Sequence, residues 1–347
     1  MTTTQLIIKK AHLRYVTDGA RGYSRRRIGS GFIYLNAKGG RVTDLSTLKR
    51  VDALVIPPAW KDVWICPKPS GHIQATGRDE RGRKQYLYHS RWQEESNRKK
   101  FELILKFGLS LLRIRKENAK GLKLDHLARE RVLATVTALL EKTHIRIGNE
   151  PYAEENHSFG LTTLQKRHID IEGCTIHFLF PGKRKKMWKL DLDHSKLCKA
   201  IRKCQELPGQ QLFKFKNGSG RVQAISSQDV NAYIKLISGE DFSAKDFRTW
   251  HATVSSLEKL RKLPPARTQA ERKRFLAGVV KEIAGELNNT PAVCRRCYIH
   301  PDVIEAYEKE MLPGVFSVPE SISNLQGLTN DEKEALAFLS VRKPSQD

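Results

Sequence analysis

Up to about residue 90 the apolar residues fall in short runs, some alternating with polar ones, broken by glycine and proline. That is the spacing of strands and turns, where successive side chains face opposite sides. GFIYLNAKGGRV (31–42) alternates and ends in a Gly-Gly turn, and VIPPAWKDVWICP (55–67) sets two prolines before a short strand, Val63 to Cys66. GHIQATGRDERGRKQYLYH (71–89) is two alternating runs about the turn DERGR, a predicted β-hairpin. Its first strand carries His72, Gln74 and Thr76 as a polar side, and its second puts Tyr86 and Tyr88 on one side.

After about residue 92 the period becomes helical. NRKKFELILKFGLSLLRIRKE (97–117) repeats apolar residues at Phe101, Ile104, Leu105, Leu109 and Leu112, and LKLDHLARERVLATVTALLEKTH (122–144) does the same from Leu124 to Leu140. A shorter mixed stretch, GLTTLQKRHIDIEG, TIHFLF and MWKLDL (160–192), predicts a small sheet. Helices follow from about Ser227, Ser243, Thr268 and Thr290, with start signals such as Ser243 followed by Asp246, and Thr290 followed by Pro291. Thr329 with Glu332 caps a last helix, and the tail KPSQD is expected to fray. No internal repeat and no low-complexity tract interrupts the pattern. The expected fold class is α+β: a small, mainly β domain over 1–90 and a mainly α domain with a small sheet over 91–347, joined near 89–96.

Composition narrows the partners. No apolar run reaches the roughly 18 residues needed to cross a bilayer, and MTTTQLIIKKAHLRY lacks the apolar core of a secretory signal. A cytoplasmic, nucleoid-associated protein without a membrane partner is the expectation. Lys and Arg number 62 against 38 acidic residues, a net charge of +24, which suits a polyanion and predicts salt-dependent binding to nucleic acid. Residues 1–90 hold 17 basic and six acidic side chains, so this quarter is the more basic per residue. Six cysteines are too few for a disulfide framework. Cys294 and Cys297 form a CxxC without the second ligand pair that a structural zinc site wants, and are expected to be small, partly buried helix residues.

Several segments of the second domain offer groups to a phosphate. HIRIGNEPY sets Arg146 beside a Gly-Asn turn, and FPGKRKKMW sets Lys183 in a Gly-initiated turn between two strand-like runs. SAKDFRTWHA puts Lys245 and Arg248 on one helix face, and NNTPAVCRRCY puts Asn289 just before the Thr290 cap, with Tyr298 about two turns later. Singly these are ordinary surface charges and a tyrosine of the kind usually found in cores. In this order and spacing they resemble the type IB DNA topoisomerases of the compact bacterial and poxviral kind. IRIGNEPYAEENHSFGLTTLQKRHI is similar to the family's first signature, GKRKK to its lysine turn, KDFRTWHA to its second-arginine motif and NNTPAVCRRCYIHP to its tyrosine motif.

The resemblance implies a fold shared with tyrosine recombinases, two lobes closing on duplex DNA, and a chain that acts as a monomer on supercoiled DNA. It implies Tyr298 as nucleophile, Arg146 and Arg248 as phosphate-binding cations, Lys183 as general acid, and Asn289 at a position where poxviral and nuclear relatives carry histidine. Asparagine there can still donate an N–H bond, though it carries no charge. No cofactor or metal is implied. The hairpin at 71–89 resembles a DNA-contacting hairpin of the family, which implies duplex contacts from Gln74, Tyr86, Arg83 and Lys84, with Lys245 as a further contact. Tyr307, nine residues after Tyr298, is expected in the core. Two rivals remain: a tyrosine site-specific recombinase, which usually carries histidine where this chain has Lys245, and a non-catalytic basic DNA-binding protein.

Overall fold

The computed structural model describes residues 3–80, 82–124, 127–312 and 317–341, so the predicted fraying of KPSQD falls outside the described residues. The chain divides into two compact units, Met1–Glu102 and Leu103–Asp347. Both mix helix and strand, the first around a small sheet and the second mainly helical. Among the described residues no helix is long and apolar enough to cross a membrane.

The first unit contains helices α1 (Thr3–Lys10), α2 (Leu45–Ala53) and α3 (Ser90–Glu102), and strands β1 (Tyr23–Ile28), β2 (Gly31–Leu35), β3 (Lys61–Ile65), β4 (Ile73–Arg78) and β5 (Lys84–Tyr88). The strands form one antiparallel sheet in the order β2-β1-β3-β4-β5. Its core is small: Val51 of α2 packs with Ile56, Val63, Ile65 and Ala75. The strand-rich reading of 1–90 missed α1 and α2. A signal for α2 was present, since the Asp44 carboxylate accepts from Thr47 N at 2.8 Å, an N-cap. α3 packs on α1 and groups with the first unit, whereas the sequence pattern divides the chain at residue 90.

The hairpin of β4 and β5 forms as expected, its turn held by Asp79, whose carboxylate accepts from Arg83 N at 3.0 Å and Gln85 Nε2 at 3.0 Å. The polar side of β4, opposite core residue Ala75, is covered and not exposed. His72, Gln74 and Thr76 are all buried. Gln74 Nε2 donates to the carbonyls of Pro69 (2.9 Å) and Gly71 (2.7 Å), and Arg50 donates to its Oε1 at 2.9 Å. A carboxamide so engaged cannot read a base edge, which corrects the placement of Gln74 at a DNA groove. Gln74→Ala should instead destabilise the first unit by about 1–3 kcal/mol, because it orphans buried partners. A thermal melt shows this; an unchanged melting temperature with altered cleavage positions would restore the readout role.

The second unit begins with α4 (Ile104–Gly121) and α5 (Arg129–Thr143), followed by α6 (Glu150–Asn156) and the sheet of β6 (Ile169–Glu172), β7 (Thr175–Pro181) and β8 (Met187–Asp193). Then come α7 (Ser195–Glu206), the ribbon of β9 (Lys214–Lys216) and β10 (Val222–Ala224), α8 (Ser227–Ser238), α9 (Ala244–Lys262) and α10 (Gln269–Glu286). The last elements are α11 (Pro291–Cys297), α12 (Pro301–Glu308), α13 (Glu320–Ser323) and α14 (Asn330–Val341). The helix starts expected at Ser227, Ser243, Thr268 and Thr290 are all observed, as is the Thr329–Glu332 cap, in which Glu332 N donates to Thr329 Oγ1 at 3.2 Å. The single helix predicted over 97–117 is broken at Leu103; no glycine or proline marks the break, so the periodicity runs through it. α7 and the β9–β10 ribbon were not anticipated.

α5 organises this unit. Every residue from Arg131 to Leu140 is buried, with α4, α7, α8 and α9 around it. A helix enclosed on all sides has little freedom to shift, so the loop leaving its C-terminus starts from a fixed point. That loop carries Arg146.

Candidate active site

Arg146, Lys183, Lys245, Arg248 and Tyr298 line one cleft of about 300 Å³ in the second unit, together with Gly148, Asn149, Tyr152 and Phe159. Four separate stretches of chain therefore converge. The reasons lie in how each stretch is tied to the next.

α5 ends at His144 in the left-handed conformation (φ 55°), which turns the chain sharply into Arg146. The loop is then held by backbone bonds: Leu161 N donates to Arg146 O at 2.9 Å, and Thr162 N to Ile147 O at 2.7 Å. Gly160 permits this approach. A Cβ there would lie 2.5 Å from Arg146 O and from the Gly148 backbone, so any side chain would displace the arginine. Gly148 itself has φ +99°, which favours glycine.

Lys183 sits in the turn between β7 and β8, closed by Gly182 N donating to Lys186 O at 2.9 Å. Buried Trp188 stacks on Phe180 and fixes the base of the hairpin, while Arg184 and Lys185 at the tip have positive φ. Phe159 N donates to Pro181 O at 2.8 Å, joining this hairpin to the segment that follows α6.

Arg248 is 3% exposed, on the inner face of α9. Its guanidinium donates to two backbone carbonyls, His144 O and, at 2.8 Å, Leu287 O. Its Nε is sealed from solvent without a partner among the described residues, and its carbon lies 5.1 Å from the centre of the Tyr298 ring. Arg146 donates to Asn288 O at 3.3 Å. Among the described residues neither arginine has a carboxylate partner. Burial pushes the Arg146 guanidinium down to about 10, with Arg248 adding to the effect; Arg248 is likewise lowered by burial, offset by Tyr298. Both stay charged at neutral pH. One buried and one partly buried cation, without a carboxylate partner among the described residues, make a site suited to an anion.

Tyr298 follows α11, a short helix begun by Thr290 and Pro291, and its own φ and ψ (−126°, −40°) leave the helix. Thr253 Oγ1 of α9 donates to Tyr298 O at 3.4 Å, tying the tyrosine to the helix that carries Arg248. Asn289 is not among the cleft residues; its side-chain oxygen accepts from Thr290 N at 3.0 Å and its own N–H goes to Ala284 O. Its neighbour Asn288, unremarked in the sequence, is buried in a left-handed conformation. The Asn288 side chain donates to Met187 O at 3.2 Å, so one residue ties the lysine hairpin to the carbonyl that holds Arg146. Tyr307 packs against the core, as expected. Cys294 is buried and its thiol is pushed up to about 11, chiefly by burial, while Cys297 is half-buried.

In the first unit Tyr86 is 42% exposed and stacked on Tyr88 at 5.9 Å. Arg83 and Lys84 are partly exposed but paired with Asp79 and Asp18, each at 2.6 Å.

A cleft that gathers a partly buried tyrosine, two arginines and the lysine hairpin is suited in charge to an anion. A model of the eukaryotic DNA topoisomerase I catalytic core matches residues 89–313, and one of the bacterial DNA topoisomerase IB N-terminal domain matches residues 31–79. DNA topoisomerase 1B of Acanthamoeba polyphaga mimivirus is 28% identical over 294 residues, which span 83% of this chain and 88% of that protein. DNA topoisomerase 1B of Vaccinia virus (strain Copenhagen) is 25% identical over 259 residues, 73% of this chain and 76% of the relative. DNA topoisomerase 1 of Mycosarcoma maydis is 29% identical over 185 residues, 48% of this chain but 18% of that longer protein. The chain belongs to the type IB DNA topoisomerase family, DNA-binding isomerases.

Proposed function

We propose that the chain relaxes supercoiled duplex DNA by cutting one strand through Tyr298 and resealing it, without ATP or a required metal ion. One observation carries the reading: Tyr298, two arginines without a carboxylate partner among the described residues and the Lys183 turn share a single cleft. In the forward step the Tyr298 hydroxyl gives up its proton to water as its oxygen bonds to phosphorus, the bond to the 5′ oxygen breaks, and Lys183 gives that oxygen a proton, which it regains from solvent. The product is a 3′-phosphotyrosine and a free 5′-hydroxyl. Because the ester keeps the energy of the broken bond, the 5′-hydroxyl reverses the step once the helix has turned. Arg146 and Arg248 bind the non-bridging oxygens, whose negative charge grows in the transition state.

Lys245 on the cleft and exposed Tyr86 in the first unit are assigned to the duplex outside the scissile phosphate, with Arg83 and Lys84 adding charge nearby. The protein acts as a monomer at the nucleoid of the cytoplasm in this reading; the net charge of +24 supports the attraction to DNA. The direct assay is relaxation of negatively supercoiled plasmid in EDTA with no nucleotide. Full relaxation is expected. A requirement for Mg²⁺ or ATP, or dependence on a defined recombination sequence, would exclude this mechanism.

A further inference from the structure

Arg248 is aimed by two backbone carbonyls, and both belong to segments that meet at one side chain, His251. The first carbonyl is that of His144, the left-handed residue ending α5; the second is that of Leu287, which directly follows Glu286. His251 lies three residues after Arg248 on α9, so it points from nearly the same face one turn along. Its ring stacks on that of His144, with centroids 3.6 Å apart and planes 17° from parallel. Its Nε2 meets Glu286 Oε2 at 2.9 Å, and Glu286 is held from its other oxygen by Lys259 Nζ at 3.3 Å. A single ring thus joins the end of α5, the helix bearing Arg248 and the end of α10.

We propose that His251 is a positioning residue for Arg248: stacked on His144 and bonded to Glu286, it holds in register the two carbonyls that aim the guanidinium at the scissile phosphate. The inference rests on the role given to Arg248 above. Position matters here because a guanidinium displaced by about 1 Å no longer matches the transition-state oxygens and loses up to about 10²-fold in rate. Two features of the cluster agree with a holding role. The Nδ1 of His144 is sealed from solvent without a partner among the described residues, so on that side the ring is held by its stacking on His251. Burial, with His251 and Arg248 adding to it, keeps His144 far below its usual protonation range, so it stays neutral beside the arginine.

The test is a double-mutant cycle on single-turnover cleavage of a suicide duplex, with DNA affinity and melting temperature measured alongside. His251→Ala should slow cleavage about tenfold or more in the wild-type background while duplex affinity is unchanged. Placed on Arg248→Ala, whose residual cleavage is followed over long times, it should cost nothing further. An equal loss in both backgrounds, or no loss in either, would overturn the positioning role. If His251→Ala does not fold, His251→Gln, which keeps a donor for Glu286 and removes the ring, replaces it in the same cycle and should show the same non-additivity. Wild-type cleavage by Arg248→Ala alone would instead overturn the proposed function, and the two failures are thereby distinguished.

Discussion

Tyr298→Phe is expected to bind duplex DNA normally and to form no covalent adduct. The substitution removes one oxygen, with its side-chain hydrogen bond to Arg248, and leaves the ring, whose centre lies 5.1 Å from the guanidinium carbon. Packing with the core is retained too, since Tyr298 contacts it through the ring. The stability change should therefore stay within about 1 kcal/mol, the size of one hydrogen bond. Chemistry has no such margin: without the hydroxyl there is no acceptor for the phosphoryl group, and water held in the cleft would give hydrolysis with no adduct to reseal. Tyr307→Phe is the control, because Tyr307 packs in the core and its hydroxyl lies buried without a partner among the described residues. It should cleave at nearly the wild-type rate. The readout is transfer of 3′-side label to protein on a denaturing gel. Label retained on Tyr298→Phe would move the nucleophile elsewhere.

Lys183→Ala should lose about 10²–10⁴-fold in cleavage rate, the usual contribution of a positioned general acid. At about 1.36 kcal/mol per tenfold this corresponds to roughly 3–5 kcal/mol of transition-state stabilisation. The leaving 5′-alkoxide is a strong base, and Lys183 is the exposed lysine that the β7–β8 turn places on the cleft. Folding should be unaffected, because Gly182, Phe180 and Trp188 hold the base of the turn without it. The decisive substrate carries sulfur in place of the 5′-bridging oxygen. Thiolate leaves without needing a proton, so Lys183→Ala should recover most of its rate there. If the defect is the same on both substrates, Lys183 acts only by its charge, and the general acid is another group of the cleft.

How far the sequence reached is clearest at particular residues. Helix starts at Ser243, Thr268 and Thr290 were legible because an N-cap is a local interaction, made between a side chain and the backbone three residues on. The β4–β5 hairpin was legible for the same reason, through alternation and a turn held by Asp79. Gln74 was misread because alternation separates two faces and does not say whether one or both are buried. On β4 both faces are buried: Ala75 lies in the core, and on the other face Gln74 is satisfied by Arg50 and by carbonyls of a loop. The continuous helix over 97–117 was misread because its break at Leu103 has no local marker.

The types and order of the cleft residues, Arg146, Lys183, Arg248 and Tyr298, are properties of the chain alone, and it is their resemblance to the family's motifs that singled them out before any fold was known. What brings them together is long-range. The Arg146 carbonyl meets the Leu161 amide, Phe159 meets Pro181, Asn288 meets Met187, and Arg248 reaches the carbonyls of His144 and Leu287 across 104 and 39 residues. Most of these partners are backbone groups, which every residue carries, so no residue type announces them. That is why Asn289 drew notice by its place in a motif while Asn288, which ties the site together, did not. It is also why His251 reads in sequence as one more helix residue, and only packing makes it the link between the carbonyls that hold Arg248.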